Sequence, residues 1–253
     1  MIPVKNSSAH TIILMNQVIT KAVILAAGMG LRLEKIGEDM PKGFIRLGET
    51  PIIEHSLRAL ITNGIQEIMI VTGHKAEYYE NLKKTYPEVI TVKNDKYTKT
   101  GTMFSLGCAR EFVDRDFILL ESDLIYDPEA IAGMIRSPHK DCLLLSGKTN
   151  AGDEVYVGAA KNRVTGISKE RDNIKNLVGE YVGIAKISQQ MYGKLVEFAG
   201  SNQTLSYDMG CMVEVADEHQ ISFLMIEDLQ WAEIDDLSQM NRAQKVWKRI
   251  KAL

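Results

Sequence analysis

Apolar and polar positions along this chain follow two periods in turn, and the order of that exchange predicts the architecture. Runs of about six aliphatic and β-branched residues at 21–26, 67–72, 88–93 and 116–121 have the length and continuity of strands buried on both faces. Helical spacing returns between them. Ile52, Ile53, Leu57, Leu60 and Ile61 share one face of a helix over 51–63, with Pro51 suited to its first turn and Gly64 to its end. A second helix is expected to open at Gly73 and His74, to carry Tyr79, Leu82 and Tyr86, and to stop before Pro87, and a third to run over 103–112. Strands alternating with helices call for a parallel sheet with right-handed crossovers.

Beyond Asp141 the pattern changes to strands in succession, at 142–146, 154–161, 164–168 and 179–187, with Lys161-Asn162-Arg163 short enough for a hairpin. Helices over 189–199 and 206–215, a strand over 221–226 and a helix over 237–250 follow. The expectation is an α/β, Rossmann-like fold whose central sheet is mostly parallel and whose second part is mixed or antiparallel. No linker rich in Pro, Gly or Ser divides it. A single domain over 21–253 is therefore expected, preceded by an N-terminal extension over 1–20 that holds one short apolar run.

Composition narrows the function. The 253 residues are 45% hydrophobic and 25% charged, as in an ordinary globular protein. A formal charge of −3 offers no global field for nucleic acid, and no apolar run is long enough to span a bilayer. Three dispersed cysteines, Cys108, Cys142 and Cys211, fit neither a disulfide framework nor a zinc site, so a reducing, cytoplasmic setting is expected.

The richest stretch is Lys21 to Leu33 with Pro41-Lys42-Gly43 just downstream. A buried strand empties into Ala26, Ala27, Gly28 and Gly30, whose small side chains let backbone N–H groups approach phosphate oxygens. Arg32 and Lys42 add positive charge to that cradle. The pattern lacks the three glycines of a dinucleotide fingerprint and the Gly-Lys-Ser/Thr of a P-loop. Farther on, Thr100, Thr102 and Ser105 lie in a loop after a strand's carboxyl end, where open parallel sheets bind ligands. Asp123 follows a buried strand immediately, a placement that is costly unless the carboxylate is paired or holds a metal.

Strand, Ala-Ala-Gly-x-Gly-x-Arg-Leu and then Pro-Lys resembles the signature of the nucleotidyltransferases that join an NTP to a phosphorylated sugar or alcohol. The resemblance runs from Lys21 almost to Leu253. The branch it is most similar to is the small cytidylyltransferases that activate phosphocholine or 2-aminoethylphosphonate, and the Thr-Gly-Thr-Met-Phe-Ser loop over 100–105 looks more like the phosphonate group. The resemblance implies transfer of CMP from CTP to 2-aminoethylphosphonate, with pyrophosphate released. Leu25, Ala26, Ala27, Gly28, Gly30, Gly73, Thr100, Thr102 and Ser105 would bind the nucleotide and Lys42 and Arg32 would be catalytic. Mg²⁺ would be held by Asp123 and by Asp235, the latter in Glu233-Ile234-Asp235.

For the acceptor, Glu154, Tyr156, Lys169, Tyr181 and Asp208 are candidates, since they fall in the second half and offer a carboxylate, an aromatic face or a cation. Phosphocholine, a sugar 1-phosphate, and a silent nucleotide-binding module stay open as alternatives, as do a homo-oligomer and a longer fused chain. An acceptor oxygen that is already anionic needs no general base, which agrees with five scattered histidines and no Ser/His/Asp arrangement.

Overall fold

Lys21–Ala26 forms the first strand, β1, which has parallel neighbours along both edges and a core cluster against each face. The computed structural model describes residues 18–33, 39–201, 211–215 and 220–252. A minimal hairpin, β2 (Arg46–Leu47) and β3 (Thr50–Pro51), leads into α1 (Ile52–Thr62). Then come β4 (Glu67–Thr72), α2 (Ala76–Leu82), β5 (Val89–Lys93), α3 (Thr102–Gly107), β6 (Phe117–Glu121), β7 (Leu124–Tyr126) and α4 (Glu129–Arg136). The second half runs β8 (Cys142–Ser146), β9 (Tyr156–Ala160), β10 (Arg163–Ser168), β11 (Leu177–Ile187), α5 (Gln189–Ser201), α6 (Cys211–Val215), β12 (Ser222–Ile226), β13 (Trp231–Glu233) and α7 (Leu237–Ile250).

One sheet of nine strands carries the fold, in the order β10-β9-β11-β6-β1-β4-β5, with β8 pairing β11 and β12. From β6 to β5 every pairing is parallel, and β11 joins this block antiparallel to β6. Gly183 takes φ +85°, between the two parts of β11 that pair with β8, so the long strand can change register there. Alternate residues of β1 enter opposite core clusters: Val23 packs with Met69, Val71 and Leu119, and Ala22 and Ile24 with Ile68, Ile70 and Leu120. Among the described residues no helix is long and apolar enough to cross a membrane.

A third cluster positions the functional residues. Leu33, Ile45, Leu47 and Ile52 from the first half pack against Ile125, Ala232, Ile234, Ala243 and Val246. Each buried aliphatic side chain contributes about 1.5–3 kcal/mol, so this seam ties the segments around Lys42, Asp123 and Asp235 firmly together.

The elements differ from expectation in several places. The helix after Gly73 begins at Ala76, because Lys75 adopts a left-handed φ of +53° in front of it, and Tyr86 lies beyond its end. The helix expected over 103–112 stops at Gly107 and gives way to turns. Of the helix over 206–215, 211–215 is seen and the remainder lies outside the described residues. The boundary at residue 20 is also too late: Ile19 is buried in the core, and the Thr20 carbonyl accepts from the N–H groups of Gln66 and Glu67 at 2.8 and 3.2 Å. The rest of the proposed extension, 1–17, lies outside the described residues. The β7–β13 ladder was not expected from sequence at all.

Candidate active site

β1 and β6 end side by side, fixed by the Ser122 N–H donating to the Leu25 carbonyl at 3.1 Å. From that edge β1 opens into Ala26, Ala27 and Gly28. A Cβ placed on Gly28 would meet nothing within 4 Å, so this backbone faces open space, as an approach to phosphate requires. Gly30 turns the chain at φ +64° and the Leu33 N–H closes back on its carbonyl at 2.9 Å, presenting Arg32 to the cleft.

Lys42 follows Pro41 in a short 3-10 turn. Gly43 allows the turn to sit low: a Cβ there would lie 3.0 Å from the Tyr79 hydroxyl and 3.1 Å from the Ser122 carbonyl. Lys42 Nζ donates to Asp123 Oδ2 at 2.9 Å and also to Asp235, whose other oxygen accepts from Arg32. Asp123 and Asp235 are 6% and 4% exposed. Burial acts to lower the Lys42 ammonium's pKa, but the two carboxylates outweigh it and raise the group above its ordinary range. Burial likewise acts to raise Asp235, but Lys42 and then Arg32 prevail and hold it low. Both groups are therefore charged at neutral pH.

The two carboxylates meet through the short ladder that sequence did not reveal. β7 follows Asp123 directly, and β13 pairs antiparallel to it with Glu233 opposite Leu124. The Ile234 N–H donates to the Asp123 carbonyl at 3.1 Å. Asp236, next in line, accepts from the Gln239 N–H at 2.9 Å in a full capping box at the start of α7. Asp236 thus caps the helix and Asp235 is left for the cleft.

A second wall comes from the loop after β5. Asn94, fully buried, donates to Thr100 Oγ1 and to Ser105 Oγ, both at 3.0 Å, and so braces the loop over α3. Tyr97 lines the cleft and rests on Gly73, where a Cβ would come within 2.7 Å of the Tyr97 Cβ and 2.6 Å of the Ala27 carbonyl. The whole encloses a cleft of about 460 Å³ at the carboxyl ends of the parallel strands, the position such sheets use for ligands.

Most of the expected residues meet here: Leu25, Ala26, Ala27, Gly28, Arg32, Lys42, Thr100, Thr102, Ser105, Asp123, Lys169 and Asp235 all line the cleft. Gly73 and Gly30 shape it from behind instead. Tyr181 must be corrected, since it lies in the apolar core among Leu143, Leu145 and Val157 and does not reach the cleft. Glu154 and Tyr156 stand outside the lining, paired with each other at 3.4 Å. Asp208 lies outside the described residues. Sequence reasoning missed Tyr79, Tyr97, Glu121, Ser122 and Glu233 as lining residues. Burial, with Asp123, Glu121 and Asp235 close by, raises the Glu233 carboxyl well above its usual range.

Carboxylate oxygens of Glu121, Asp123 and Glu233 lie within 4.8 Å of one another, as do those of Asp153, Glu233 and Asp235. An all-oxygen donor set of this kind suits a hard cation such as Mg²⁺. Lys42 Nζ, lodged between Asp123 and Asp235, marks where positive charge is already required.

Comparison with known proteins agrees with this geometry. Residues 22–200 match the MobA-like NTP transferase domain. A 2-aminoethylphosphonate cytidylyltransferase from Lancefieldella rimae is 30% identical over 164 residues, which cover 63% of this chain and 65% of that protein. A CTP:phosphoglutamine cytidylyltransferase from Campylobacter jejuni is 24% identical over 245 residues, covering 87% and 97%. The solved inositol-1-phosphate CTP transferase from T. maritima shares the fold, with a TM-score of 0.77 at 20% identity over 93% of this chain and 97% of that one.

Proposed function

Because the chain belongs to the MobA-like NTP transferase domain family, we propose that it transfers CMP from CTP to a small aminoalkyl phosphonate or phosphate, with 2-aminoethylphosphonate preferred. The observation that carries this reading is Lys42, held at 2.9 Å from Asp123 and bonded to Asp235, at the mouth of a cleft walled by the first glycine loop.

The acceptor's phosphonate oxygen attacks the α-phosphorus of CTP. As that bond forms, the bond to the bridging oxygen breaks and pyrophosphate leaves with the electron pair, so no proton need move. The residues have to position and neutralise. An ammonium has three donors; two of those on Lys42 go to Asp123 and Asp235, which leaves the third for a non-bridging oxygen of the α-phosphate. Arg32, more than half exposed at its side chain and anchored on Asp235, is free to meet the outer phosphates. The backbone of 26–28 approaches the same phosphates, and Tyr97, Thr100, Thr102 and Ser105 flank the nucleoside. Asp123 and Asp235 are the residues assigned to Mg²⁺, which when bound supplies Lewis-acid charge to the phosphate oxygens.

The acceptor preference draws support from the carboxylates around the cleft. A quaternary ammonium is best held by an aromatic cage; of the described tyrosines in the second half, Tyr181 and Tyr192 are both committed to the core. A primary ammonium asks only for hydrogen-bonding carboxylates, and Asp153, Glu233 and Asp235 cluster beside the reaction centre. The test is pyrophosphate release with CTP across a panel of acceptors. Highest kcat/KM for 2-aminoethylphosphonate is expected; a preference of tenfold or more for phosphocholine, about 1.4 kcal/mol, would overturn the assignment.

A further inference from the structure

Gln239, the third residue of α7, does more than its cap requires. A capping box needs from this position an oxygen that accepts from the N-cap backbone. Gln239 Oε1 does so, accepting from the N–H of Asp236 at 3.3 Å and of Asp235 at 2.5 Å. A glutamate would serve that purpose equally. An amide also carries a nitrogen, and here Nε2 donates to the carboxylate of Asp153, in the loop joining β8 to β9. The bond is shielded, with Gln239 only 5% exposed.

That loop, 147–155, has further anchors. Glu180 Oε2 accepts from Thr149 N and Oγ1 at 3.0 and 2.6 Å, and Glu154 Oε1 accepts from Gly152 N at 3.2 Å. Asp153 is the residue through which the loop reaches the reaction centre, its carboxylate lying within 4.8 Å of those of Glu233 and Asp235. The attacking oxygen must lie beside the α-phosphate and hence near Asp235. An ammonium two methylenes away from the phosphorus is then within reach of the carboxylate cluster to which Asp153 belongs.

We propose that Gln239 is a positioning residue that fixes Asp153, and with it loop 147–155, against the reaction centre so that Asp153 meets the acceptor's ammonium. The inference rests on the amine-bearing acceptor proposed above. Gln239→Glu keeps the cap oxygen, removes the donor and sets like charge against Asp153. Hydrogen–deuterium exchange over 147–155 should then accelerate about tenfold or more, and KM for 2-aminoethylphosphonate should rise by a similar factor, as expected when a buried hydrogen bond to a charged group is lost. KM for CTP should stay near the wild-type value, while Tm should fall by a few degrees, the scale of one such lost hydrogen bond in a chain of this size. Asp153→Asn combined with Gln239→Glu exchanges donor and acceptor, and should restore slow exchange without restoring the low acceptor KM. Unchanged exchange in Gln239→Glu, an equal rise in both KM values, or failure of the pair to restore slow exchange would overturn the positioning role. If the wild-type protein releases no pyrophosphate with any aminoalkyl acceptor, it is the acceptor reading that fails, and the exchange measurements still decide what Gln239 does.

Discussion

The Ile234 N–H donates to the Asp123 carbonyl at 3.1 Å, and this one backbone bond brings together two segments far apart in sequence. It continues the β7–β13 pairing by one step, so that the side chains of Asp123 and Asp235 emerge at the same end of the ladder with Lys42 between them. Neither carboxylate could be buried alone without cost. The lysine makes the arrangement stable in the absence of substrate.

Lys42→Ala removes the ammonium that links both carboxylates. kcat should fall about a hundredfold or more, the scale on which one charge-stabilising donor is lost. Steady-state kinetics decide the point: a change confined to KM would make Lys42 a uniform binding contact.

Asp235 and Asp236 are neighbours with separate tasks, and single replacements should separate them. Asp236→Ala loses the side-chain cap of α7 and should cost about 1 kcal/mol of stability, read by denaturant titration, while turnover survives. Asp235→Ala should abolish turnover and leave the fold intact by circular dichroism. An Asp235→Ala protein with substantial activity, or wild-type activity that persists in EDTA, would remove the metal assignment.

Gly73→Ala places a methyl group against the Ala27 carbonyl and the Tyr97 side chain. Overpacking of this kind costs about 1–3 kcal/mol, and its relief must shift Tyr97 in the cleft wall. A lowered denaturation midpoint together with a raised KM for CTP is expected; a stable variant with unchanged KM would show that the wall does not contact the nucleotide.

His55 sets a pH limit on stability. Burial lowers its pKa first of all, Arg58 and Lys251 add to the effect, Glu54 opposes it, and Nε2 is buried with no hydrogen-bond partner among the described residues. The folded pKa therefore lies below the unfolded value of about 6.5. As pH falls the unfolded chain takes the proton first, so this contribution to stability is complete above that value and is lost as pH drops from it through the folded pKa. Tm should decline as pH falls below about 6.5, and His55→Gln should flatten the decline. An equally steep decline in the variant would place its origin elsewhere.

Much of this was legible in the chain because it was local. β1, β4, β8 and α7 occupy the ranges that their apolar patterns predict. Ala26, Ala27, Gly28, Arg32 and Lys42 could be read as one candidate site because small residues and cations lie close together in sequence, and they do line one cleft. β7 and β13 escaped notice because three residues carry no period, and their pairing depends on contacts distant in sequence. Tyr181 was misassigned because β11 is covered on both faces over most of its length, so an aromatic residue there fills core and no alternation betrays its direction. Tyr79 has helical spacing suited to packing and does pack, against Phe44, yet its hydroxyl also reaches the floor of the cleft. Asp153 carries no motif, and its significance exists only through Gln239.

The ladder between β7 and β13 also has a temporal side. A ribosome delivers the glycine loop, Lys42 and Asp123 early, and domains begin to organise while synthesis continues. Asp235 does not exist until the chain has passed the whole of the region 22–200 that matches the family. Until β13 arrives and pairs, Lys42 has only one of its two carboxylates. The pairing of Lys42 with its second carboxylate is thus completed late in synthesis, by one short strand closing on another.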